Sequence, residues 1–213
     1  MAILAPSLLS ANFLHLKEEL DSIEQAKATW IHLDVMDGHF APDLFLGPKL
    51  IRDIRMGTSL FLDTHLMVDN PERFVDCLAE AGSDALTFHW EATTKPAYLI
   101  KMIRAQNKKV GIAINPETPV SCIAPFLGEL DLVLVMAISP GRAGSPFQIE
   151  AHQKVDELLQ LRQQGHSKFL ISVDGGIGTK EIALLKNKAD IFVSGSGFFS
   201  AMDRLAFVKS VQY

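Results

Sequence analysis

The strongest constraint on the fold is a regular alternation of short β-branched or apolar runs with longer segments of helical periodicity. Segments with helical periodicity include residues 14–26, 71–82, 148–165 and 179–188. The unit of one run and one helical segment repeats about every 25 residues. The eight apolar runs lie at residues 3–9, 30–35, 60–67, 84–90, 109–115, 131–137, 168–174 and 190–195. This alternation predicts eight parallel strands joined by helical crossovers.

Eight strand–helix units favour a closed α/β barrel, the (β/α)8 or TIM barrel, as a single domain over residues 1–213. No Gly/Ser-rich or Pro-rich tract divides the chain, and its length is near the short end for this fold. An open doubly wound α/β sheet is the alternative. Pro48, Pro71 and Pro119 stand where first helical turns are expected.

Charge and hydropathy exclude several classes of partner. The formal net charge is −5, with acidic and basic residues interspersed and without a basic stripe, which argues against nucleic acid or an anionic membrane. No apolar run approaches the roughly 18 residues that a membrane span needs. The segment MAILAPSLLSANF lacks the basic start of a signal peptide, and Pro6 interrupts its apolar run. We therefore expect a cytoplasmic protein.

Polar residues concentrate at the carboxyl ends of the predicted strands, whereas the early halves of the strands are largely apolar. In a (β/α)8 barrel this is the end that carries chemistry. Scattered core polar groups would not favour one end of most strands, so we predict a functional site there. The polar and small residues at these ends are Ser7, His32, Asp34, His65, His89, Asn115, Asp174, Gly195 and Ser196.

Strand geometry predicts which of these side chains face one another. Successive side chains alternate faces, so His32 and Asp34 share one face of WIHLDV while Leu33 and Val35 share the other. With the apolar pair turned towards the helices, the polar pair faces the barrel axis. The same alternation pairs His65 with Met67 and Ser172 with Asp174.

Two histidines and two aspartates then converge from three strands. Imidazole and carboxylate groups suit one divalent metal ion, such as Zn, Fe(II), Co or Mn. An isolated His-x-Asp is more often a hydrogen-bonded core pair. The convergence of His32 and Asp34 with His65 and Asp174 is what favours a metal site.

Glycine-rich turns follow the last three predicted strands at SPGRAG (139–144), DGGIG (174–178) and SGSG (194–197). Glycine allows backbone N–H groups to approach an anion closely, and the loops after strands 7 and 8 often bind phosphate in this fold. The turns therefore predict a phosphate-binding site.

Six motifs together resemble the ribulose-phosphate 3-epimerase family. They run through nearly the whole chain in the family's order, and the combination of HxDxMDGxFxP, HLM and VDGG is specific to it. The motifs are APSLLSANF (5–13), HLDVMDGHF-P (32–42), HLMV--P (65–71), NP-TP (115–119), M--SPG--G (136–144) and VDGG (173–176).

The resemblance implies a metal-dependent (β/α)8 epimerase acting on a small-molecule ketose phosphate, and we also expect a homo-oligomer. It implies metal ligation by His32, Asp34, His65 and Asp174, with Asp34 and Asp174 as the acid/base pair. It implies substrate binding by Ser7, His65, Met36, Met67, Met136, Gly141, Gly144, Gly175, Gly176, Gly195 and Ser196.

The implied reaction converts D-ribulose 5-phosphate to D-xylulose 5-phosphate by epimerisation at C3. One carboxylate removes the C3 proton and the other returns a proton to the opposite face, through a metal-stabilised enediolate. Asp34 and Asp174 lie on predicted strands 2 and 7, on opposite sides of an eight-stranded ring, as this chemistry requires.

The chain departs from the family in two loops beside the expected substrate. Residues 142–145 read Arg-Ala-Gly-Ser, where the family usually has an aromatic residue followed by Gly-Gly-Gln. Asp43 and Phe45 stand where Asn and Thr are usual. Asp37 and Gly38, in contrast, match the family, and we expect them to form a turn. The substrate therefore stays open between a pentulose phosphate and a hexulose phosphate such as allulose 6-phosphate.

Two further alternatives remain. One is a sugar-phosphate-binding paralogue without turnover, against which the retained carboxylates argue. The other is a metal-free decarboxylase or aldolase, which would want a catalytic lysine at a strand end, where the sequence has none.

Overall fold

The computed structural model describes residues 2–142, 144–165 and 168–212, and no helix within these ranges is both long and apolar enough to cross a membrane. The strands in this part of the chain are β1 Ile3–Pro6, β2 Trp30–Asp37, β3 Leu44–Phe45, β4 Phe61–Met67, β5 Ala85–His89, β6 Lys109–Ile114, β7 Leu132–Met136, β8 Leu170–Asp174 and β9 Ile191–Ser194. The α-helices are α1 Leu16–Gln25, α2 Pro48–Gly57, α3 Val75–Glu80, α4 Pro96–Ala105, α5 Glu150–Gly165, α6 Thr179–Leu185, α7 Ser196–Phe199 and α8 Arg204–Gln212.

The nine strands form one curled sheet in the order β1-β9-β8-β7-β6-β5-β4-β2-β3. Every pairing is parallel except that of the short β3, which runs antiparallel to the end of β2. A parallel bridge between Ser7 and His32 brings the chain just after β1 against β2. The predicted single-domain (β/α)8 architecture is confirmed, with all eight predicted runs present as strands.

The connection after β6 differs from the others. Pro48 begins α2 as predicted, and Pro71 begins a 3₁₀ helix that leads into α3. Pro119, however, precedes two 3₁₀ helices, Val120–Cys122 and Ala124–Glu129, instead of an α-helix. Pro125 explains the break, because its missing amide hydrogen interrupts the hydrogen bonds of a continuous helix.

The two faces of the strands pack into two different apolar layers, as the alternation of side chains predicts. Ile31, Leu33 and Val35 of β2 belong to the outer layer between sheet and helices. At the amino end of the lumen, Trp30 stacks on Phe61 with ring centroids 4.0 Å apart. The inner layer, which fills the barrel, contains Ala5, Ala85, Ala113, Leu132, Leu134, Met136, Ile191 and Val193. The polar residues therefore lie above a packed apolar floor.

Candidate active site

Strand register brings the predicted polar side chains to one level of the barrel. On β2 and β4, His32 pairs with Asp63 and Asp34 pairs with His65. Asp174 ends β8, beside Met136 of β7. Because side chains alternate along a strand, these residues point into the lumen, and both histidines are completely buried.

One atom from each of the four predicted ligands meets the others within 4.8 Å. His32 Nε2 lies 3.4 Å from both His65 Nδ1 and Asp34 Oδ1, and His65 Nδ1 lies 3.3 Å from Asp34 Oδ1. Asp174 Oδ2 is 4.0 Å from each histidine nitrogen. Tetrahedral ligation with bonds of about 2.0–2.2 Å separates neighbouring ligand atoms by about 3.3–3.6 Å. The donor set therefore fits a metal ion, with three atoms already at that spacing.

Neighbouring residues fix which atom of three of the four ligands faces this cluster. His32 Nδ1 lies 2.8 Å from Asp63 Oδ2, which leaves Nε2 pointing inward. The Ser7 hydroxyl donates to Asp34 Oδ2 at 2.6 Å and leaves Oδ1 to the cluster. His65 Nε2 lies 2.8 Å from His89 Nε2, so His65 also presents its other nitrogen inward.

Burial and proximity separate the pKa values of the two carboxyl groups. Burial raises the pKa of Asp34, but the charge and hydrogen bonds of His32 and His65 outweigh it and hold that pKa well below its usual range. Burial, reinforced by the charge of Asp34, raises the pKa of Asp174 to about 7.

The pKa values of the histidines are also shifted in opposite directions. Burial lowers the pKa of His32, but Asp34 and Asp63 outweigh it and raise the pKa well above the usual value. Burial lowers the pKa of His65 to about 4, helped by the charges of His89 and His32. Burial also lowers the pKa of His89, against the opposing effect of Glu91.

A cavity of about 270 Å³ opens over the cluster towards the glycine turns. Met36 and His65 do not line it: His65 is buried beneath, and Met36 packs against Met67 and Ala41. Nine of the eleven predicted substrate-binding residues do line it, namely Ser7, Met67, Met136, Gly141, Gly144, Gly175, Gly176, Gly195 and Ser196.

The far end of the cavity is built from close-packed backbone. Gly176 has φ +66°, and a Cβ at this position would lie 3.0 Å from the Phe147 nitrogen. A Cβ on Gly195 would lie 2.4 Å from Ser10 Oγ. Ser196 begins the four-residue helix α7, in which the N–H groups of Phe198 and Phe199 both donate to the Gly195 carbonyl at 3.0 Å. The glycine turns therefore bring backbone close to this end of the cavity.

The predicted turn-forming role of Asp37 has a structural basis. Its Oδ1 accepts the backbone N–H groups of His39 and Phe40 at 2.9 and 3.0 Å, and its Oδ2 accepts that of Asp69 at 2.8 Å. Asp37 therefore joins the loops that follow the neighbouring strands β2 and β4.

Three of the departures from the family pattern lie beside the cavity or its wall. Arg142 and Ser145 line the cavity, while Ala143 lies outside the described residues. Phe45 packs edge-on to Phe13 with ring centroids 5.3 Å apart, and it contacts the Met36–Met67 cluster. Asp43 is exposed.

Two buried or half-buried carboxylates that contact the histidines were not predicted. Asp63 supports His32, and Glu91 lies 3.3 Å from His89 Nδ1. Each stands two residues from a histidine, at 63–65 and 89–91. The same i, i+2 spacing relates His32 to Asp34, but it does not show which histidine Asp63 contacts.

A curled α/β barrel with a buried His/Asp cluster beside a glycine-lined cavity is typical of barrel enzymes, whose active sites lie at the carboxyl ends of the strands. Within that class, the chain belongs to the ribulose-phosphate 3-epimerase family, whose model matches residues 3–199. It is therefore an isomerase-class sugar-phosphate epimerase.

Relatives named ribulose-phosphate 3-epimerase match nearly the whole chain. The protein from Treponema pallidum is 44% identical over 207 residues, covering 97% of this chain and 95% of the relative. The protein from Bacillus subtilis is 37% identical over 214 residues, covering 100% and 99%.

Solved structures of more distant sequences share the fold. The ligand-bound form of KGPDC from Streptococcus mutans superposes with a TM-score of 0.73 at 15% identity, covering 99% of this chain and 95% of that one. 3-Hexulose-6-phosphate synthase from Salmonella typhimurium gives 0.67 at 18% identity, covering 98% and 96%. At these identities the likeness concerns the fold alone.

Proposed function

We propose that this chain is a metal-dependent 3-epimerase that interconverts D-ribulose 5-phosphate and D-xylulose 5-phosphate. The observation that carries the proposal is the meeting of two histidines and two aspartates within 4.8 Å. A cavity lined by Asp34 and Asp174 continues from this cluster to the glycine turns. A phosphorylated ketose carries its phosphate at one end and its reacting carbon some way along the chain, which matches a cavity with glycine turns at one end and the cluster at the other.

His32, Asp34, His65 and Asp174 would hold the metal through the four atoms described above. The donor set suits Zn, Fe(II), Co or Mn. A divalent ion there supplies Lewis-acid stabilisation of the negative charge that develops on the substrate oxygens when the C3 proton leaves.

Asp34 and Asp174 are the proposed proton carriers. They stand on β2 and β8, which are separated around the barrel by β1 and β9. One carboxylate takes the C3 proton while the other, as the acid, delivers a proton to the opposite face, and the roles exchange with direction. Ser7 holds Asp34 in place through Oδ2.

The remaining groups orient the substrate and protect the reacting carbon. The backbone at Gly175, Gly176, Gly195 and Ser196 binds the phosphate, since N–H groups at glycine turns are suited to anions. The methionines are uncharged and carry no acidic proton, so they exclude water without protonating the substrate. They are Met36, Met67 and Met136, of which the last two line the cavity.

A hexulose phosphate such as allulose 6-phosphate is the second candidate substrate. Arg142 is the one cationic side chain among the described residues that line the cavity, and it departs from the usual pentulose-phosphate pattern. A longer substrate would bring its phosphate closer to this loop.

Solvent exchange distinguishes these candidates. Metal-replete protein is incubated with ribulose 5-phosphate or allulose 6-phosphate in deuterated water, and label entry at C3 is followed by NMR. We expect exchange and inversion with ribulose 5-phosphate. Faster turnover of allulose 6-phosphate would support the second candidate, and no exchange with either would indicate a non-catalytic paralogue.

The homo-oligomeric state, the cytoplasmic location and the extent of the domain over residues 1–213 stay predictions of the sequence.

A further inference from the structure

We propose that Glu91 and His89 are positioning residues that set the ring tautomer of His65, so that the Nδ1 lone pair of His65 faces the metal cluster. The proposal rests on the metal site proposed above. It concerns a second line of contacts, behind the ligands and on the side of the barrel away from the glycine turns.

The contacts form a continuous chain from a carboxylate to the cluster. Glu91 Oε2 lies 3.3 Å from His89 Nδ1, and His89 Nε2 lies 2.8 Å from His65 Nε2. His65 Nδ1 then lies 3.3 Å from Asp34 Oδ1. The side chains of His65 and His89 are completely buried, with ring centroids 4.9 Å apart and ring planes inclined by 29°, so water does not compete for these nitrogens.

A neutral imidazole has one N–H and one lone pair, so the chain can run in two directions. In the first, His65 Nε2–H donates to His89 Nε2, and His89 Nδ1–H donates to Glu91. This direction leaves a lone pair on His65 Nδ1, as a metal ligand requires. In the second, His89 Nε2–H donates to His65, whose proton then occupies Nδ1 and blocks ligation. Asp34 Oδ1 lies 3.3 Å from His65 Nδ1 and would accept a proton placed there by the second direction. His32 Nε2, however, lies 3.4 Å from both atoms and can donate to the His65 Nδ1 lone pair that the first direction leaves.

The carboxylate of Glu91 then selects the first direction. An ionised carboxylate only accepts hydrogen bonds, so the second direction would place its oxygen against the lone pair of His89 Nδ1. The hydrogen bonds of His89, Thr118 and the Asn115 N–H outweigh the raising effect of burial and lower the pKa of Glu91 to about 2. Glu91 is therefore an acceptor throughout the neutral range.

The other oxygen of Glu91 is fixed by the loop after β6. Oε1 accepts the backbone N–H of Asn115 at 2.9 Å and also the hydroxyl of Thr118. Lys154 of α5 holds this loop by donating to the carbonyl oxygens of Asn115 and Thr118 at 2.6 and 2.7 Å. Rotation of the carboxylate would break its hydrogen bond with the Asn115 N–H.

Because of this anchoring, Glu91→Gln replaces the hydrogen-bond acceptor that faces His89 Nδ1 by a donor, in a side chain of nearly the same shape. The amide oxygen must stay on the Asn115 N–H, so the amide NH₂ faces His89 Nδ1. A donor at that point makes Nδ1 the acceptor, moves the His89 proton to Nε2, and moves the His65 proton to Nδ1. Thr118→Val is the matched control, since it removes one partner of Glu91 and leaves the charge in place.

The test measures tautomers and metal affinity separately. Long-range ¹H–¹⁵N correlation spectra of the metal-free protein assign the protonated ring nitrogen of His65 and His89, and competition with a chromophoric chelator measures Zn²⁺ affinity. In the wild type we expect His65 protonated at Nε2 and His89 at Nδ1. Glu91→Gln should exchange both positions and weaken Zn²⁺ binding about 10- to 100-fold, while Thr118→Val changes neither.

Three results would overturn the proposal. One is a wild-type His89 protonated at Nε2, a measurement that needs no variant to fold. The second is a Glu91→Gln protein in which only the tautomers change or only the Zn²⁺ affinity changes. The third is a Glu91→Gln protein in which both stay as in the wild type. Failure of the wild type to bind Zn²⁺ and the other candidate metals would contradict the proposed metal site instead, and the metal-free spectra would still decide the tautomers.

Discussion

His32 Nδ1 and Asp63 Oδ2 lie 2.8 Å apart inside the barrel, where both side chains are at most 1% exposed. The carboxylate accepts the ring N–H at Nδ1 and directs Nε2 into the His/Asp cluster. His32 and Asp63 are also register partners on adjacent strands, so the sheet itself sets this contact. Carboxylate-supported imidazoles of this kind raise metal affinity and fix ring orientation.

Replacing Asp63 by Asn should therefore weaken Zn²⁺ binding by about 10- to 100-fold, because a neutral amide supports the imidazole less well. Chelator competition measures the affinity. Ser172→Ala is the control, since Ser172 is buried and its hydroxyl makes no hydrogen bond with the described residues. Equal affinities of Asp63→Asn and Ser172→Ala would show that Asp63 does not support a ligand.

Ser7→Ala should lower kcat without removing the metal. The hydroxyl donates to Asp34 Oδ2, whereas Asp34 Oδ1 faces the cluster. A hydrogen bond to a charged group contributes about 1.5–3 kcal/mol, which corresponds to roughly a 10- to 100-fold loss of turnover. Steady-state kinetics and elemental analysis check the two halves of the prediction, and an unchanged kcat would exclude this role for Ser7.

Gly176→Ala should raise KM for the sugar phosphate about tenfold, because a left-handed alanine costs about 1–2 kcal/mol and displaces the proposed phosphate turn. Its Cβ would also lie 3.0 Å from the Phe147 nitrogen. Gly128→Ala is the control, since no heavy atom of the described chain beyond its adjacent residues lies within 4 Å of its added Cβ. Inorganic phosphate should bind more weakly to Gly176→Ala alone. Similar KM values for both variants would locate the phosphate elsewhere.

Gly111→Ala should destabilise the barrel by about 1–3 kcal/mol, the usual cost of overpacking a core. Its Cβ would lie 2.3 Å from Thr87 Oγ1 on the neighbouring strand. Adding Thr87→Ala removes that atom and should restore part of the loss. Urea unfolding of the two single variants and the double variant measures the coupling, and purely additive effects would contradict the clash.

The sequence was sufficient for the architecture because each barrel strand carries its own local signal. The β-branched runs identified all eight barrel strands, and the period of two assigned His32 and Asp34 to the lumen face. The short β3 was missed because two residues carry no periodicity, and its structure depends on pairing with Met36 and Asp37.

The support behind the ligands was harder to predict. Glu91 follows a strand, and its partners Asn115 and Thr118 are 24 and 27 residues away in the chain. Local patterns do not reveal which loops meet above a barrel. Asp63 lies two residues before His65, but it was not singled out because it stands in the middle of an apolar run, away from the carboxyl end of the strand.

Proton transfer by two carboxylates is the central claim, and Asp174→Asn tests it most directly. Metal-replete wild type and variant are incubated with ribulose 5-phosphate in deuterated water, with circular dichroism as the check on folding. We predict that the wild type incorporates deuterium at C3 with inversion and that the folded variant has lost inversion. Near-normal turnover by Asp174→Asn would contradict the two-carboxylate mechanism.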